Sequence, residues 1–129
     1  VIFLDSSAVV KLARREAETD ALRNWLGANP LPLVASALVR IETARALRHT
    51  EPSALPVLAS VLALLHQFPV SDSVLDAAGR LPDPGLRSLG AIHLATAAEH
   101  VEALVWFVVY DRRLARAAQT ARLPVAAPA

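Results

Sequence analysis

The sequence predicts an α/β fold, a three-layer α/β/α sandwich around a short parallel sheet, and three observations predict it. Val1 to Ser7, VIFLDSS, runs four apolar residues into an acid and two hydroxyls. That is the pattern of a buried strand that delivers Asp5 to its carboxyl end just before a helix begins. Far downstream, Leu104 to Asp111, LVWFVVYD, repeats the pattern, and continuous apolar runs mark strands covered on both faces of a parallel sheet. Between the two, strand-like and helix-like stretches alternate with no hairpin signal. Ligands bind outside the carboxyl ends of the strands in such a sheet. Asp5 and Asp111 are therefore expected on one edge, and carboxylates gathered there without a basic partner call for a cation.

Length and composition bound the rest. With 129 residues the chain is expected to form one domain over 1–129. Hydrophobic residues make up 54% and charged residues 19%, which excludes disorder and favours an oligomer or an obligate partner. There is no cysteine, so any metal must use oxygen or imidazole ligands. The first residues lack a basic n-region and meet an acid after four apolar positions, unlike a signal peptide or a membrane span. A cytoplasmic location, with no membrane association, is the expectation. The net charge of +1 offers no bulk attraction to nucleic acid, so RNA contacts must come from local clusters.

In chain order, Ser6 or Ser7 is placed to cap a helix over AVVKLARR, and Glu16 to Leu26 continues as a second helix that stops at Gly27 and Asn29-Pro30. LPLVAS is a short strand. Ser36 then caps the helix ALVRIETARALRH, in which Glu42 falls within the apolar arc. A surface pair with Arg45, three residues on, is the ordinary use for such an acid. From Pro52 to Ser71 no residue is charged, and ALPVLASVLALLHQF reads as a helix buried on both sides, by its own core and by another chain. FPVSD is a third strand and VLDAAGR a brief helix, followed by the turn LPDPG. LRSLGAIHLATAAEHVEA is a helix with Ser88 as candidate cap and Gly90 facing inward in its first turn, where glycine gives up ~1 kcal/mol of helix propensity and fills nothing. After LVWFVVYD, RRLARAAQTA forms the last helix, and LPVAAPA supplies an edge strand.

The opening VIFLDSSAVVKL, the helical RIE with Glu42, the LRSLGAIHLATA helix and the late VYDRRLARAA resemble the PIN-domain family, most closely the small ribonuclease toxins of VapBC toxin–antitoxin systems. The resemblance covers nearly the whole chain. It implies four acids at one site. By position the first is Asp5, the second Glu42 and the fourth Asp111; the third would stand where LGAIHLATA reads LDAIHLATA, and here it is Gly90. The resemblance also implies Mg²⁺ or Mn²⁺, an RNA substrate, a homodimer and a cognate antitoxin. Because one acid is missing, attenuated activity is expected. The alternative is a catalytically inactive PIN-fold protein that docks antitoxin or RNA. A phosphoacceptor receiver domain also places acids at strand ends, but needs an acidic pair after the first strand that VIFLDSS lacks.

His93, one turn beyond Gly90, reads as a packed and hydrogen-bonded core histidine. His93 and His100 lie two turns apart, so no zinc spacing is present. Lys11, Arg14 and Arg15 form one basic cluster, and Arg112, Arg113 and Arg116 another that borders the proposed site. Arg87, Arg112 and Arg113 are the candidates for RNA phosphate contacts.

Overall fold

A computed structural model describes residues Val1 to Ala129. Five parallel strands form one sheet: β1 (Ile2–Leu4), β2 (Leu33–Ser36), β3 (His66–Phe68), β4 (Trp106–Val108) and β5 (Val125–Ala126), in the spatial order β3-β2-β1-β4-β5. Register is set by pairs such as Phe3 with Val34 and Phe3 with Phe107. The helices are α1 (Ser6–Ala13), α2 (Thr19–Ala28), α3 (Val39–Thr50), α4 (Leu55–Ala63), α5 (Asp72–Gly79), α6 (Ser88–Glu99) and α7 (Arg112–Thr120). None is long and apolar enough to cross a membrane.

Strand periodicity divides the core in two. Ile2, Leu4, Ala35 and Val108 face one side and pack with Ala8 and Val9 of α1, Leu22 of α2, Val39 and Leu47 of α3 and Leu58 of α4. Phe3, Val34, Phe107 and Val109 face the other and pack with Leu94 and Ala97 of α6 and Leu114, Ala117 and Ala118 of α7. This is the expected three-layer sandwich. The chain leaves β1 towards β2 and β3, then returns to build β4 and β5 on the other side of β1. The order thus reverses between β1 and β4, and a crevice opens there at the strands' carboxyl ends.

Several boundaries differ from the sequence reading. The uncharged stretch is a short 3₁₀ turn, Pro52–Ala54, then α4, which stops at Ala63. His66 to Phe68 become β3 because they complete backbone pairing with β2, and Ala37 N–H extends that pairing by donating to Phe68 O at 2.8 Å. Pro69 has no N–H and ends the strand, so FPVSD contributes only Phe68 to it. Within this chain α4 is buried on one side only: Leu58 is buried, while Val57 and the nearby Leu64 are exposed. The second helix begins at Thr19, after a break, and runs through Gly27 to Ala28. Ser71 caps α5 by accepting from Val74 N–H.

Candidate active site

Two acids stand at the switch point. Asp5 follows β1 and caps α1, with Oδ2 accepting from Ser7 N–H at 3.1 Å and from the Ser7 hydroxyl at 2.7 Å. Asp111 lies beyond β4 and caps α7, with Oδ1 accepting from Leu114 N–H at 2.8 Å. The caps expected from Ser6 or Ser7 are thus displaced by the acid ahead of them, whose negative charge also suits the positive helix end. Ser7 does something else: its hydroxyl accepts from Tyr110 N–H at 2.9 Å while donating to Asp5, tying the segment after β4 to the acid after β1. Asp5 is only 4% exposed, whereas Asp111 is open to solvent.

Glu42 comes in from the first turn of α3. It does not pair with Arg45. Its Oε1 accepts from the Ser6 hydroxyl at 2.7 Å and lies in hydrogen-bond contact with His93 Nε2. Burial pushes the Glu42 carboxyl up, but the hydrogen bonds it receives from His93 and Ser6 pull it down, and the group is held below its usual range. His93 is almost wholly buried, and its Nε2 is also 3.1 Å from Ser6 Oγ and 3.8 Å from Asp5 Oδ1. His93 is packed and hydrogen-bonded as expected, but it also lines the cleft, and sequence reasoning did not foresee that its partner would be Glu42. The available signal was its place one turn after the inward-facing position 90.

A single cleft of about 710 Å³ is lined by Asp5, Ser6, Glu42, His93, Gly90 and Asp111, with Arg87, Arg112 and Arg113 also along its walls. Gly90 does open onto this hollow. A Cβ placed there would stand 3.1 Å from Leu86 Cδ1 and 3.9 Å from Leu114 Cδ1, so the terminal methyl of Leu86 partly covers the space where a side chain would begin. No three His, Asp or Glu side chains are arranged as a ready-made metal cage. The donor set nonetheless fits a hard cation, because Mg²⁺ is commonly held by one or two carboxylates with water and substrate oxygens completing its shell.

The two basic clusters behave differently. Lys11 pairs with Glu18 at 2.8 Å and Glu16 at 3.8 Å, and Arg15 pairs with Asp20 at 2.9 Å, so that cluster is largely neutralised by its own surroundings. Arg87, Arg112 and Arg113 are exposed and form no ion pair; the one hydrogen bond among them runs from Arg113 Nη1 to Gly85 O at 3.4 Å. Their cationic groups remain available to a bound anion.

A parallel sheet in the order 3-2-1-4-5, with acids from β1, α3 and the end of β4 lining one cleft, defines a class. The chain belongs to the PIN-domain family, whose model, PIN domain, matches residues 2–119. It is similar to Ribonuclease VapC35 of Mycobacterium tuberculosis, 46% identical over 131 residues that cover 99% of this chain and 97% of that protein. It is likewise 47% identical over 127 residues to Ribonuclease VapC46 of the same organism, covering 98% and 97% of the two chains. Among solved structures, that of Mycobacterium tuberculosis VapC20, described as a Sarcin-Ricin loop cleaving toxin, matches with a TM-score of 0.77 and 18% identity over 99% of this chain and 100% of that one. At that identity it bears on the fold alone.

Proposed function

We propose that the chain is a metal-dependent endoribonuclease toxin of a toxin–antitoxin pair, acting in the cytoplasm and attenuated because Gly90 stands where an acid is usual. The observation that carries this reading is the convergence of Asp5, Glu42 and Asp111 from separate elements on one cleft that also presents unpaired arginines. The near full-length similarity to two proteins named as VapC ribonucleases supports it.

Asp5 and Glu42 would hold Mg²⁺ or Mn²⁺, with Asp111 completing the acidic set. A divalent cation bound there supplies charge neutralisation for the phosphodiester and lowers the pKa of a water. The chain's own residues do the remaining work. Arg87, Arg112 and Arg113 bind and orient the RNA backbone, as cationic side chains that touch phosphate fix register without reading sequence. The Ser7 bridge fixes the Asp5 carboxylate by engaging Oδ2 and leaving Oδ1 without a hydrogen bond. Without an acid at position 90 the cleft carries one negative charge fewer, which weakens cation binding without dismantling the site.

A homodimer and a cognate antitoxin complete the proposal. The exposed Ile41, Val57 and Leu64 on or beside α3 and α4 support a covered apolar surface.

The experiment is cleavage of a structured RNA by the purified chain with Mg²⁺ or Mn²⁺, alongside Asp5→Asn and a chelated control. Slow, metal-dependent cleavage that is lost in Asp5→Asn supports the enzyme. No cleavage with either metal, together with retained RNA binding, supports the inactive binding protein, the second reading that Gly90 keeps in play.

A further inference from the structure

We propose that His93 is a positioning residue for Glu42: it donates Nε2–H to the Glu42 carboxylate, fixes that carboxylate beside Ser6 and Asp5, and does not itself bind the cation. The purpose of this clamp rests on the metal reading of the cleft given above.

The other ring nitrogen decides the tautomer. His93 Nδ1 is buried with no hydrogen-bond partner, and Phe3 packs its ring at 81° to the imidazole, 6.5 Å between centroids. A proton on Nδ1 would bury an N–H with no acceptor. It would also turn the Nε2 lone pair towards Glu42 Oε1 and Asp5 Oδ1, the latter 3.8 Å away, setting acceptor against acceptor. A proton on Nε2 satisfies Glu42 and leaves only a lone pair unpartnered. The Nε2–H tautomer is therefore the one this packing selects.

That tautomer excludes metal ligation through Nε2. A histidine bound through Nε2 carries its proton on Nδ1, and such ligands almost always donate that N–H to a carboxylate, carbonyl or water. His93 has no such acceptor. The donors converging on Glu42 also divide its two oxygens by role. Oε1 accepts from Ser6 and lies against His93, which leaves Oε2 to meet an ion. Since Asp5 follows β1 and Glu42 rides on α3, a tie from α6 on the opposite layer sets their separation where no covalent neighbour can.

The test reads the ring directly. In ¹⁵N-labelled full-length chain, long-range ¹H–¹⁵N spectra should give His93 a protonated Nε2 and an unprotonated Nδ1, and saturating Mg²⁺ should leave that pattern in place. In parallel, His93→Leu should weaken Mn²⁺ binding about 10–100-fold, the range for removing an outer-shell partner. His93→Gln, which keeps an N–H donor at similar reach, should recover most of the loss. A proton on Nδ1, inversion of the pattern on adding Mg²⁺, or a Gln variant as weak as the Leu variant would overturn the proposal. If the unsubstituted chain binds no Mn²⁺, the metal reading fails and the clamp loses its purpose, while the ring spectrum still decides whether the clamp exists.

Discussion

The cleft has two unlike walls. On one, Asp5, Ser6, Ser7 and Glu42 are stitched together by short hydrogen bonds, with His93 reaching across from α6. On the other, α6 and α7 present Gly90 and three unpaired arginines, and the one acid, Asp111, spends Oδ1 on its own helix. The first wall is buried at Asp5 and His93, half-buried elsewhere, and over-determined; the second is open and electrically the reverse. A buried carboxylate must be hydrogen-bonded to stay charged, and that requirement makes the first wall rigid. The second wall faces water and has no such requirement, so a glycine at position 90 is compatible with its fold.

The contrast breaks most sharply at Asp5. Asp5→Asn should lower metal-dependent RNA cleavage by on the order of 10²-fold or more, the scale for losing one preorganised electrostatic partner at a reacting centre. Asp111→Asn should cost less, because its carboxylate is exposed and partly committed to capping. Parallel turnover assays on the two variants decide this, and a larger loss at Asp111 would invert the assignment of walls.

Ser7→Ala tests rigidity rather than chemistry. It removes a hydroxyl that serves Asp5 and Tyr110 N–H together, and breaking a hydrogen bond to a buried charged group costs about 1–3 kcal/mol. An unfolding free energy lower by that amount, read as an earlier denaturant midpoint, is expected. Removing a hydroxyl from the open wall, Ser88→Ala, should leave the midpoint nearly unchanged, since Ser88 makes no side-chain cap for α6.

Much of this was legible beforehand. VIFLDSS and LVWFVVYD read as parallel strands ending in acids because a strand covered on both faces leaves a continuous apolar run. The register of α3 put Glu42 in the apolar arc, and the cleft is where that arc leads. What could not be read were the long-range pairings. Ser6 and Ser7 looked like caps because local hydrogen bonding is all a linear pattern can weigh, and their true partners lie 36 residues away in one case and 103 in the other. His66 and Gln67 looked helical because their strand character comes from β2 and not from their own composition.

The open wall is the subject of a weaker prediction. Arg112→Ala with Arg113→Ala should reduce RNA affinity, and the slope of log affinity against log salt should fall by ~0.7 for each single-strand phosphate that the variant no longer neutralises. Lys11→Ala and Arg15→Ala should hardly alter it, because acids already neutralise those side chains. Filter binding across a salt series measures both. An equal slope change for the two pairs would remove the distinction between clusters.

The smallest effect concerns Tyr110, the chain's single tyrosine, which joins the two walls through its backbone. Burial, then the nearby Glu18 charge, pushes its phenol up from 10.0 to about 12. The neutral phenol is thus favoured by the fold. Its contribution to stability is complete below pH 10.0 and is lost as pH rises towards about 12. Tyrosinate absorbance on alkaline titration should show a late transition in the folded chain and an ordinary one in denaturant.

The most direct measurement of the central claim is Mn²⁺ titration and RNA turnover for the chain and its Gly90→Asp variant, side by side. The added carboxylate enters the first turn of α6, where the helix end favours an anion by ~0.3–1 kcal/mol. Its Cβ needs the Leu86 methyl, 3.1 Å away, to give by a few tenths of an ångström, which the end of a flexible side chain can do. Tighter Mn²⁺ binding and faster cleavage in Gly90→Asp, both abolished by adding Asp5→Asn, are the expected result. Equal affinity and equal turnover for the two chains would contradict it, showing that the buried wall alone sets the activity and that position 90 carries no part of it.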